Sequence, residues 1–482
     1  MSTPTFKNYI AGEWVGASDG KTIENINPAT GEVIGYFASA TAEDTKRAIA
    51  AAKEALPKWA ALPGPSRAAI LDKAGQLIAA RMDDLAETLT REEGKTLAES
   101  KAEVMRARDI FKYYAGEGFR AGGDVIPANT PDTLLFTKRE PLGVVAVITP
   151  WNFPIAIPAW KIAPALAYGN TVVFKPASLV PHTALKLVEI LIEAGLPPGV
   201  VNLVVGSGSA VGNTLAESKE IAGLSFTGSY AVGIKIYEKT ARNLVRTQLE
   251  MGGKNPTIVL NDANIPLAVD IAVRGGFGLT GQACTATSRV IVEEKVADAF
   301  TQALVEAARS LKVGNGLESG VQMGPAVSAD QLQTDLEYVG IGKSEGAKLL
   351  VGGEPIQAGA GFFIQPTVFE DVEPGMRIAQ EEIFGPVIGV IRAKDFDDAI
   401  AKANGIGFGL SASIVTNDLN KAMRFADRIE AGVVKINEPT TGVALQAPFG
   451  GFKGSSANTF KEQGRAAMEF YTRTKTVYVK YG

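Results

Sequence analysis

Three continuous apolar runs limit the possible folds of this chain more than any other feature of its sequence. They are VVAVI at 144–148, TVVFK at 171–175 and VVNLVV at 200–205. Short runs of this kind, separated by helical segments, are typical of parallel strands that are buried on both faces of a sheet. IAGLSF at 221–226 and the segment before Glu250 continue the series, with about 30 residues in each unit. The pattern predicts a doubly wound α/β fold of the kind that binds nucleotides.

A second alternation of strands and helices begins near Thr257 and continues past Val434. It includes a helix at about 296–310 and the strand GVVKIN, which ends at Asn437. Because 482 residues exceed what one hydrophobic core can organise, we predict two doubly wound α/β domains and a small β arm. The predicted limits are 1–120 with 142–252 for the dinucleotide-binding domain, 253–452 for the second domain, and 121–141 with 453–482 for the arm and the C-terminal strand.

Helices are predicted ahead of the first apolar run, as a shell around the sheet. Thr41 and Asp44 resemble a capping box that begins a helix through about Trp59. A single helix is predicted from about 66 to 93, with Gly94 as its C-cap, and another from about 97 to 118.

Two half-polar segments, at 133–140 and 471–481, alternate as strands do. Isolated strands need a sheet to join. We therefore predict that they form a small arm, which a second subunit completes.

Composition and charge exclude several classes of protein. Hydrophobic residues make up 46% and charged residues 21% of the chain, as in ordinary globular proteins. The net charge of −4 gives no basic surface for nucleic acid or for an anionic membrane. No apolar run reaches the roughly 20 residues of a membrane helix, and the N-terminus lacks the apolar core of a signal peptide. A reducing, cytoplasmic setting is expected.

Cys284, in GQACTATS, is the only cysteine, and His182 is the only histidine. One thiol cannot form an intrachain disulfide or a multi-cysteine zinc site, and no metal is expected. The simplest alternative is that Cys284 is a small buried hydrophobe. However, Gly275, Gly276, Gly278 and Gly281 precede it and allow a ligand to approach the backbone. If Cys284 is a nucleophile, its base is expected to be a carboxylate, since His182 begins a helix after Pro181 and is interpreted as structural.

Three segments are candidates for a nucleotide site. GSGSAVG at 206–212 follows a strand, but its spacing is one residue off the dinucleotide fingerprint and no acidic residue follows at the expected place. FTGS at 226–229 begins a helix whose free N–H groups suit a pyrophosphate. KPAS at 175–178 ends a strand, where α/β sheets bind ligands. Each segment could instead be an ordinary turn.

With these segments placed, the sequence resembles the NAD(P)-dependent aldehyde dehydrogenase superfamily along essentially its whole length. The motifs that carry the resemblance are TPWNFP at 149–154, KPAS at 175–178, FTGS at 226–229, LEMGGKNP at 249–256, GQACT at 281–285, EEIFGP at 381–386 and PFGGFKGS at 448–455. The resemblance implies the fold of that family, in which a cofactor-binding and a catalytic α/β domain are joined by an oligomerisation arm. It also implies a homodimer or homotetramer.

The resemblance implies a role for each matching residue. Cys284 matches the nucleophile that attacks the aldehyde, and Asn152 matches the amide of the oxyanion hole. Glu250 matches the general base, and Lys161 matches a lysine that supports these groups. An aldehyde would be oxidised to a carboxylic acid through a thiohemiacetal and a thioester on Cys284.

The implied cofactor is NADP or NAD. Ser178 stands beside Lys175 where an acidic residue would repel a 2′-phosphate, so NADP is favoured or tolerated. The implied cofactor-binding residues are Ile148, Thr149, Pro150, Trp151, Lys175, Ala177, Ser178, Gly208, Gly212, Phe226, Thr227, Gly228, Ser229, Val232, Met251, Gly252, Glu382 and Phe384.

The aldehyde itself is less closely defined. By resemblance its pocket would include Phe153, Ile157, Trp160, Ala283, Thr285 and the loop 438–446. The strings NFPIAIPAWK, GQACTATSR and FKGSSANTFKEQG are most similar to a bacterial branch that includes 2-oxoglutarate semialdehyde (2,5-dioxopentanoate) dehydrogenases. Trp160 stands where succinic semialdehyde enzymes often carry an arginine.

Several alternatives stay open at this point. The chain could be a broad aliphatic or aromatic aldehyde dehydrogenase or a succinic semialdehyde dehydrogenase. It could pass the acyl group to CoA, or have lost activity and serve as a binding protein. Arg106, Arg108 and Arg289 are the candidates for a substrate carboxylate.

Overall fold

Two seven-stranded sheets organise the fold in a computed structural model that describes residues 3–456 and 459–482. In spatial order, the first sheet consists of β12 (Arg246–Glu250), β11 (Gly223–Thr227), β8 (Val144–Ile148), β9 (Thr171–Lys175), β10 (Val201–Leu203), β2 (Asn8–Ile10) and β3 (Glu13–Val15). The first five strands in this order, from β12 through β8 to β10, run parallel to one another. Strands β2 and β3 add to the sheet at one edge, each antiparallel to its neighbour. The predicted strands at 144–148 and 171–175 are confirmed to the residue, whereas the run at 200–205 forms a shorter strand.

Alternate side chains of β8 enter two different hydrophobic cores, which is why the run VVAVI is apolar throughout. Val145 and Val147 pack beneath one group of helices, and Val144 and Ala146 pack beneath the other. The first group is α2 (Gly64–Ala80), α3 (Met82–Glu93), α4 (Leu97–Glu117), α5 (Ala156–Ala167) and α6 (Pro181–Glu193). The second group is α1 (Ala42–Ala61), α7 (Asn213–Glu217) and α8 (Tyr230–Ala241). The sheet is thus doubly wound, as predicted.

The second sheet repeats this arrangement. In spatial order its strands are β15 (Lys348–Val351), β18 (Thr367–Glu370), β19 (Val387–Ala393), β14 (Thr287–Glu293), β13 (Asn255–Val259), β21 (Ser411–Val415) and β22 (Val433–Ile436). Only β15 is antiparallel to its neighbour in this sheet. The helices on its two faces are α9 (Ile265–Phe277) and α10 (Glu294–Ser310) on one, and α11 (Ala329–Ser344), α12 (Arg377–Gln380), α13 (Phe396–Asn404) and α14 (Leu419–Arg428) on the other. The α/β class is confirmed, and the domain limits stay a prediction.

The helix predicted at 66–93 is wrong, because the structure divides it into α2 and α3. Arg81 (φ −107°, ψ 20°) ends the first helix and begins the second, and its side chain pairs with Glu193. The amphipathic pattern continues across this break, so periodicity could not reveal it. The capping box of Thr41 with Asp44 is confirmed, as is Gly94, which ends α3 in the left-handed conformation (φ 101°).

The two half-polar segments pair with each other. β7 (Thr133–Pro141) and β24 (Thr472–Lys480) form an antiparallel ladder, to which β6 (Val125–Ile126) adds. Several apolar side chains stay exposed on this arm, with Tyr478 at 71%. Smaller elements complete the described chain: β1 (Thr5–Phe6), β4 (Thr22–Ile26), β5 (Val33–Ala38), β16 (Pro355–Ile356), β17 (Phe363–Ile364), β20 (Phe408–Gly409), β23 (Phe452–Lys453) and α15 (Ala466–Tyr471). None of the helices in residues 3–456 and 459–482 has the length and hydrophobicity to span a membrane.

Candidate active site

Cys284 lies in a tightly held loop between a 3₁₀ turn at 278–281 and β14. Gly281 has a positive φ of 69°, and a Cβ there would overlap the carbonyl oxygen of Gly385. The Asn255 amide donates to the carbonyl oxygens of Cys284 at 2.8 Å and Ala286 at 2.9 Å. The thiol therefore has a fixed position, and its residue keeps partial exposure.

The Cys284 residue lines a cavity of about 210 Å³ that both sheets build. The first sheet contributes residues at or just after the carboxyl ends of β8, β11 and β12, which is where parallel sheets bind ligands. The walls include eleven predicted site residues: Pro150, Trp151, Asn152, Thr227, Gly228, Ser229, Met251, Gly252, Cys284, Glu382 and Phe384. Gln331 on α11 also lines the cavity and was missed from the sequence, because nothing in its local pattern marks it.

Asn152 is buried and oriented by two contacts. Its side-chain Nδ2 donates to the carbonyl oxygen of Gln282 at 2.9 Å, which leaves the second N–H of that amide for a ligand. Its backbone oxygen accepts from Lys95 Nζ at 2.6 Å. Lys95 also donates to Glu103 Oε2 at 2.7 Å, and Glu103 Oε1 accepts from the N–H groups of Ile155 and Ala156. This buried pair fixes the loop that carries Asn152.

The surroundings of Cys284 favour the thiol over the thiolate. Burial raises the pKa of Cys284, and the carboxylates of Glu382 and Glu250 raise it further, while a hydrogen bond from the Thr285 N–H opposes the shift. The Cys284 thiol therefore has to give its proton to a base as it reacts, because the resting site does not hold it as a thiolate.

Glu250 ends β12 and is buried, but its side chain is not among the cavity walls. Its Oε1 accepts from Ser456 Oγ at 2.8 Å, and its Oε2 has no partner within the described part of the chain. Burial raises the pKa of Glu250 well above its usual value, and Glu462 raises it further. A carboxylate with a raised pKa is a stronger base than an ordinary glutamate.

Lys161 lies in a buried polar network. Its ammonium donates to Ser225 Oγ at 2.8 Å and to the carboxylate of Glu462. Ser225 in turn donates to Gln248 on β12, two residues before Glu250. Glu462 was missed as a site residue although the string FKGSSANTFKEQG contains it, because its partner Lys161 lies 301 residues away in the chain.

The predicted adenosine contacts adjoin this cavity instead of lining it. Lys175 is buried, and burial without a neighbouring carboxylate lowers its pKa to about 8. Ser178 donates to the carbonyl oxygen of Gly206 at 3.0 Å, which joins the segments KPAS and GSGSAVG. Gly208 and Gly212 have open space where a Cβ would lie, in a π-helical turn at 208–212, so packing does not require glycine there.

The FTGS segment leaves the start of α8 open. Ser229 is the N-cap residue but its side chain makes no capping bond, and Thr227 Oγ1 is buried without a partner among the described residues. Val232, on the first turn of α8, is 47% exposed. Of the remaining predicted contacts, Ile148 and Phe226 are core residues, Thr149 is buried, and Ala177 is half-buried.

Glu382 and Gly252 fit a close ligand. Glu382 Oε1 accepts from the Gly253 N–H at 3.0 Å, and a Cβ on Gly252 would overlap the Glu382 carboxylate. Burial raises the pKa of Glu382 to about 7. The Trp151 and Phe384 rings meet edge to face at 5.2 Å, and Phe384 has the unusual φ of 64°. Open donors at α8 and a carboxyl at Glu382 suit the phosphates and ribose of a dinucleotide.

The predicted aldehyde pocket contains mainly buried, apolar residues. Phe153 lies below the Lys95 ammonium at 4.6 Å, and Trp160 packs against Phe449 at 6.0 Å. Ile157, Ala283 and Thr285 are buried.

The structure separates the three candidate arginines. Arg289 is buried and its guanidinium donates to the carbonyl oxygens of Lys254, Lys402 and Ala403. Arg108 pairs with Asp109. Only Arg106 lies against the predicted pocket, over the Trp160 ring at 5.7 Å.

A family model described as the aldehyde dehydrogenase family matches residues 14–477. The chain belongs to the aldehyde dehydrogenase family. This aldehyde dehydrogenase is therefore an oxidoreductase that acts on an aldehyde with NAD(P), and the recognition from its motifs is confirmed.

Two curated relatives cover essentially the whole length of this aldehyde dehydrogenase. An alpha-ketoglutarate semialdehyde dehydrogenase of Haloferax volcanii is 51% identical and covers 100% of both chains. A 2,5-dioxopentanoate dehydrogenase of Saccharolobus solfataricus is 49% identical over 98% of this chain and 99% of its own. The resemblance to that branch is thus confirmed.

Solved structures of the family share the fold. Betaine aldehyde dehydrogenase of Staphylococcus aureus, in complex with NAD+, has a TM-score of 0.96 at 38% identity and covers 98% of this chain and 94% of its own. An NADP-dependent enzyme of E. coli has a TM-score of 0.96 at 39% identity and covers 99% of this chain and 98% of its own.

Proposed function

We propose that this aldehyde dehydrogenase oxidises 2-oxoglutarate semialdehyde to 2-oxoglutarate, with Cys284 as the nucleophile. The observation that carries the proposal is that Cys284, Asn152 and Glu382 line one cavity at the strand ends of two α/β sheets. The names of the two relatives support the choice of substrate.

Cys284 Sγ attacks the aldehyde carbon while its thiol proton passes to Glu250, and the addition gives a thiohemiacetal. The second Nδ2–H of Asn152 and the Cys284 backbone N–H are the donors for the resulting oxyanion. Each donor of this kind contributes roughly 3 kcal/mol to the barrier reduction. When bound, the nicotinamide ring of NAD(P)+ supplies the hydride acceptor, and oxidation leaves the acyl group on Cys284 as a thioester.

Glu250 activates the water that hydrolyses this thioester. Its raised pKa makes Glu250 a stronger base than an ordinary glutamate, and Lys161 with Glu462 offers a buried route by which Glu250 releases its proton before it activates the water. Movement of the Glu250 carboxylate from Ser456 toward the cavity is part of this proposal.

We further propose that the chain accepts NADP. Lys175 is a buried cation, and no acidic residue occurs in KPAS to repel a 2′-phosphate. The other predicted cofactor contacts keep their proposed roles.

We also propose a homodimer or a dimer of dimers. The exposed apolar side chains of β24 and β6 support assembly through the arm. The cytoplasmic setting stays a prediction from the sequence.

A second candidate function is the oxidation of aliphatic or aromatic aldehydes. The aromatic walls at Phe153 and Trp160 favour it. A kcat/KM panel with 2-oxoglutarate semialdehyde, succinic semialdehyde, hexanal and benzaldehyde, each with NAD and NADP, separates the two. The kcat/KM for 2-oxoglutarate semialdehyde is expected to exceed that for hexanal by at least about tenfold. Equal values of kcat/KM would reject the proposed substrate. Adding CoA tests for acyl-CoA, whose formation would reject hydrolysis.

A further inference from the structure

Three hydrogen-bond donors meet beside the predicted aldehyde pocket. The Arg106 guanidinium lies over the Trp160 ring, with 5.7 Å from its central carbon to the ring centre. Arg106 Nη2 donates to Gln463 Oε1 at 2.9 Å, and Nη1 donates to the carbonyl oxygen of Val443 in the loop 438–446. We call Arg106, Trp160 and Gln463 the donor cluster.

The donor cluster has more N–H groups than the surrounding chain has acceptors for them. Arg106 carries five N–H groups, of which the contacts to Gln463 and Val443 use two. Because the Gln463 Oε1 accepts from Arg106, the amide presents its Nε2 elsewhere, and that buried Nε2 has no partner among the described residues. The indole Nε1 of Trp160 is likewise buried and has no partner there. A buried donor without an acceptor costs free energy, so the cluster is complementary to an acceptor that the chain does not supply.

Carboxylates of the chain near Arg106 are already engaged. Glu103 lies one turn before Arg106 on α4, but Lys95 and two N–H groups at the start of α5 occupy its oxygens. Asp109 pairs with Arg108. The guanidinium therefore keeps a positive charge that no described carboxylate neutralises by direct contact.

The donor cluster also adjoins the residues proposed for catalysis. Trp160 immediately precedes Lys161, and Gln463 immediately follows Glu462, which pairs with Lys161. Through Glu103, the same face of α4 holds the start of α5, just after Asn152 and Phe153. The donor cluster thus lies beside the elements that hold Asn152 and Lys161.

We propose that the donor cluster binds the 2-oxo acid end of the substrate. Arg106 donates two parallel hydrogen bonds to the carboxylate, and the Gln463 amide donates to an adjacent oxygen. A planar guanidinium matches a carboxylate in this way, and the 2-oxo oxygen supplies one more acceptor in the same plane. The inference rests on the proposed function and names the residue that selects acidic aldehydes.

The test compares Arg106→Met with Arg108→Met as the matched control, two positions along the same helix. For each variant, kcat/KM is measured with 2-oxoglutarate semialdehyde and with pentanal, a neutral aldehyde of the same length. Arg106→Met is expected to lower kcat/KM for the semialdehyde at least about 100-fold, mainly through KM, and for pentanal by less than about tenfold. Arg108→Met is expected to match the wild type with both. Equal losses for the two aldehydes in Arg106→Met would overturn the inference.

Gln463→Glu keeps the shape of the side chain and supplies an anion to Arg106 from within the chain. It is expected to lower kcat/KM for the semialdehyde far more than for pentanal, while the melting temperature does not fall. Unchanged preference for the semialdehyde would contradict the assignment.

The wild type separates this inference from the proposed function. If wild-type protein prefers pentanal to acidic aldehydes, the proposed substrate class fails. If it prefers acidic aldehydes and both variants keep that preference, only the role of the donor cluster fails.

Discussion

Lys95 Nζ donates to the backbone oxygen of Asn152 at 2.6 Å while it pairs with Glu103 at 2.7 Å. Both side chains are buried, so the ion pair is protected from solvent. It therefore links the proposed oxyanion-hole residue to helix α4, although neither lysine nor glutamate has a proposed role in the chemistry itself.

Lys95→Met is expected to lower kcat at least about tenfold and to destabilise the fold by about 3 kcal/mol, because Glu103 is left buried without its partner. Steady-state rates and denaturant unfolding measure the two effects. Lys101→Met is the control, since Lys101 lies on α4, the helix that carries Glu103, and pairs with Asp83 in solvent. An unchanged kcat would show that Asn152 keeps its position without Lys95.

Cys284→Ala is expected to abolish aldehyde oxidation, since the Cys284 thiol is the proposed nucleophile. Cofactor binding should stay intact, because Cys284 is only one of many residues that line the cavity. NAD(P)H formation and calorimetric titration with NAD(P)+ measure these properties. Turnover comparable to the wild type would remove the proposed mechanism.

Glu250→Gln is expected to slow steady-state turnover by about 100-fold or more, because glutamine cannot accept the proton of the hydrolytic water. In the wild type, kcat should rise with pH as Glu250 loses its proton, over a range shifted upward by the raised pKa of this group. The pH-rate profile of the variant should lack this limb. A profile identical to that of the wild type would argue for a different base.

Ser178→Glu is expected to raise KM for NADP at least about tenfold more than KM for NAD, since the new carboxylate would repel a 2′-phosphate and neutralise Lys175. Initial rates at saturating aldehyde measure both constants. Ser344→Glu, at the exposed end of α11, adds the same charge elsewhere and should change neither. Parallel changes in the two constants would mean that Ser178 does not face the 2′ position.

Asp335→Asn is expected to stabilise the protein at pH 8. Burial raises the pKa of Asp335 from 3.8 to about 7, so the folded state retains a proton that the unfolded state releases above about pH 4. The free energy of unfolding of the wild type therefore falls as pH rises toward 7, by up to about 4 kcal/mol from this group. Asparagine removes that loss. Denaturant unfolding at pH 4 and pH 8 measures how the free energy of unfolding changes with pH. Asp330→Asn, at an exposed position, is the control. Equal pH dependence in Asp335→Asn and the wild type would contradict the expectation.

The sequence by itself determined the fold class and the family. Strands such as VVAVI and TVVFK are apolar throughout because both faces of the sheet are covered, and this property is local in the chain. The motif residues Pro150 to Asn152, Thr227 to Ser229, Gly252 and Glu382 line the cavity with Cys284, since parallel strands end at one edge of a sheet.

Only the tertiary structure decided which distant side chains complete the site. Glu462 meets Lys161 across 301 residues, and Arg106 meets Gln463 across 357. Arg106, Arg108 and Arg289 were equivalent in the sequence, and burial and partners separated them: carbonyl oxygens hold Arg289, Asp109 holds Arg108, and Arg106 lies at the pocket. Such pairings depend on how separate elements pack, and no local periodicity records them.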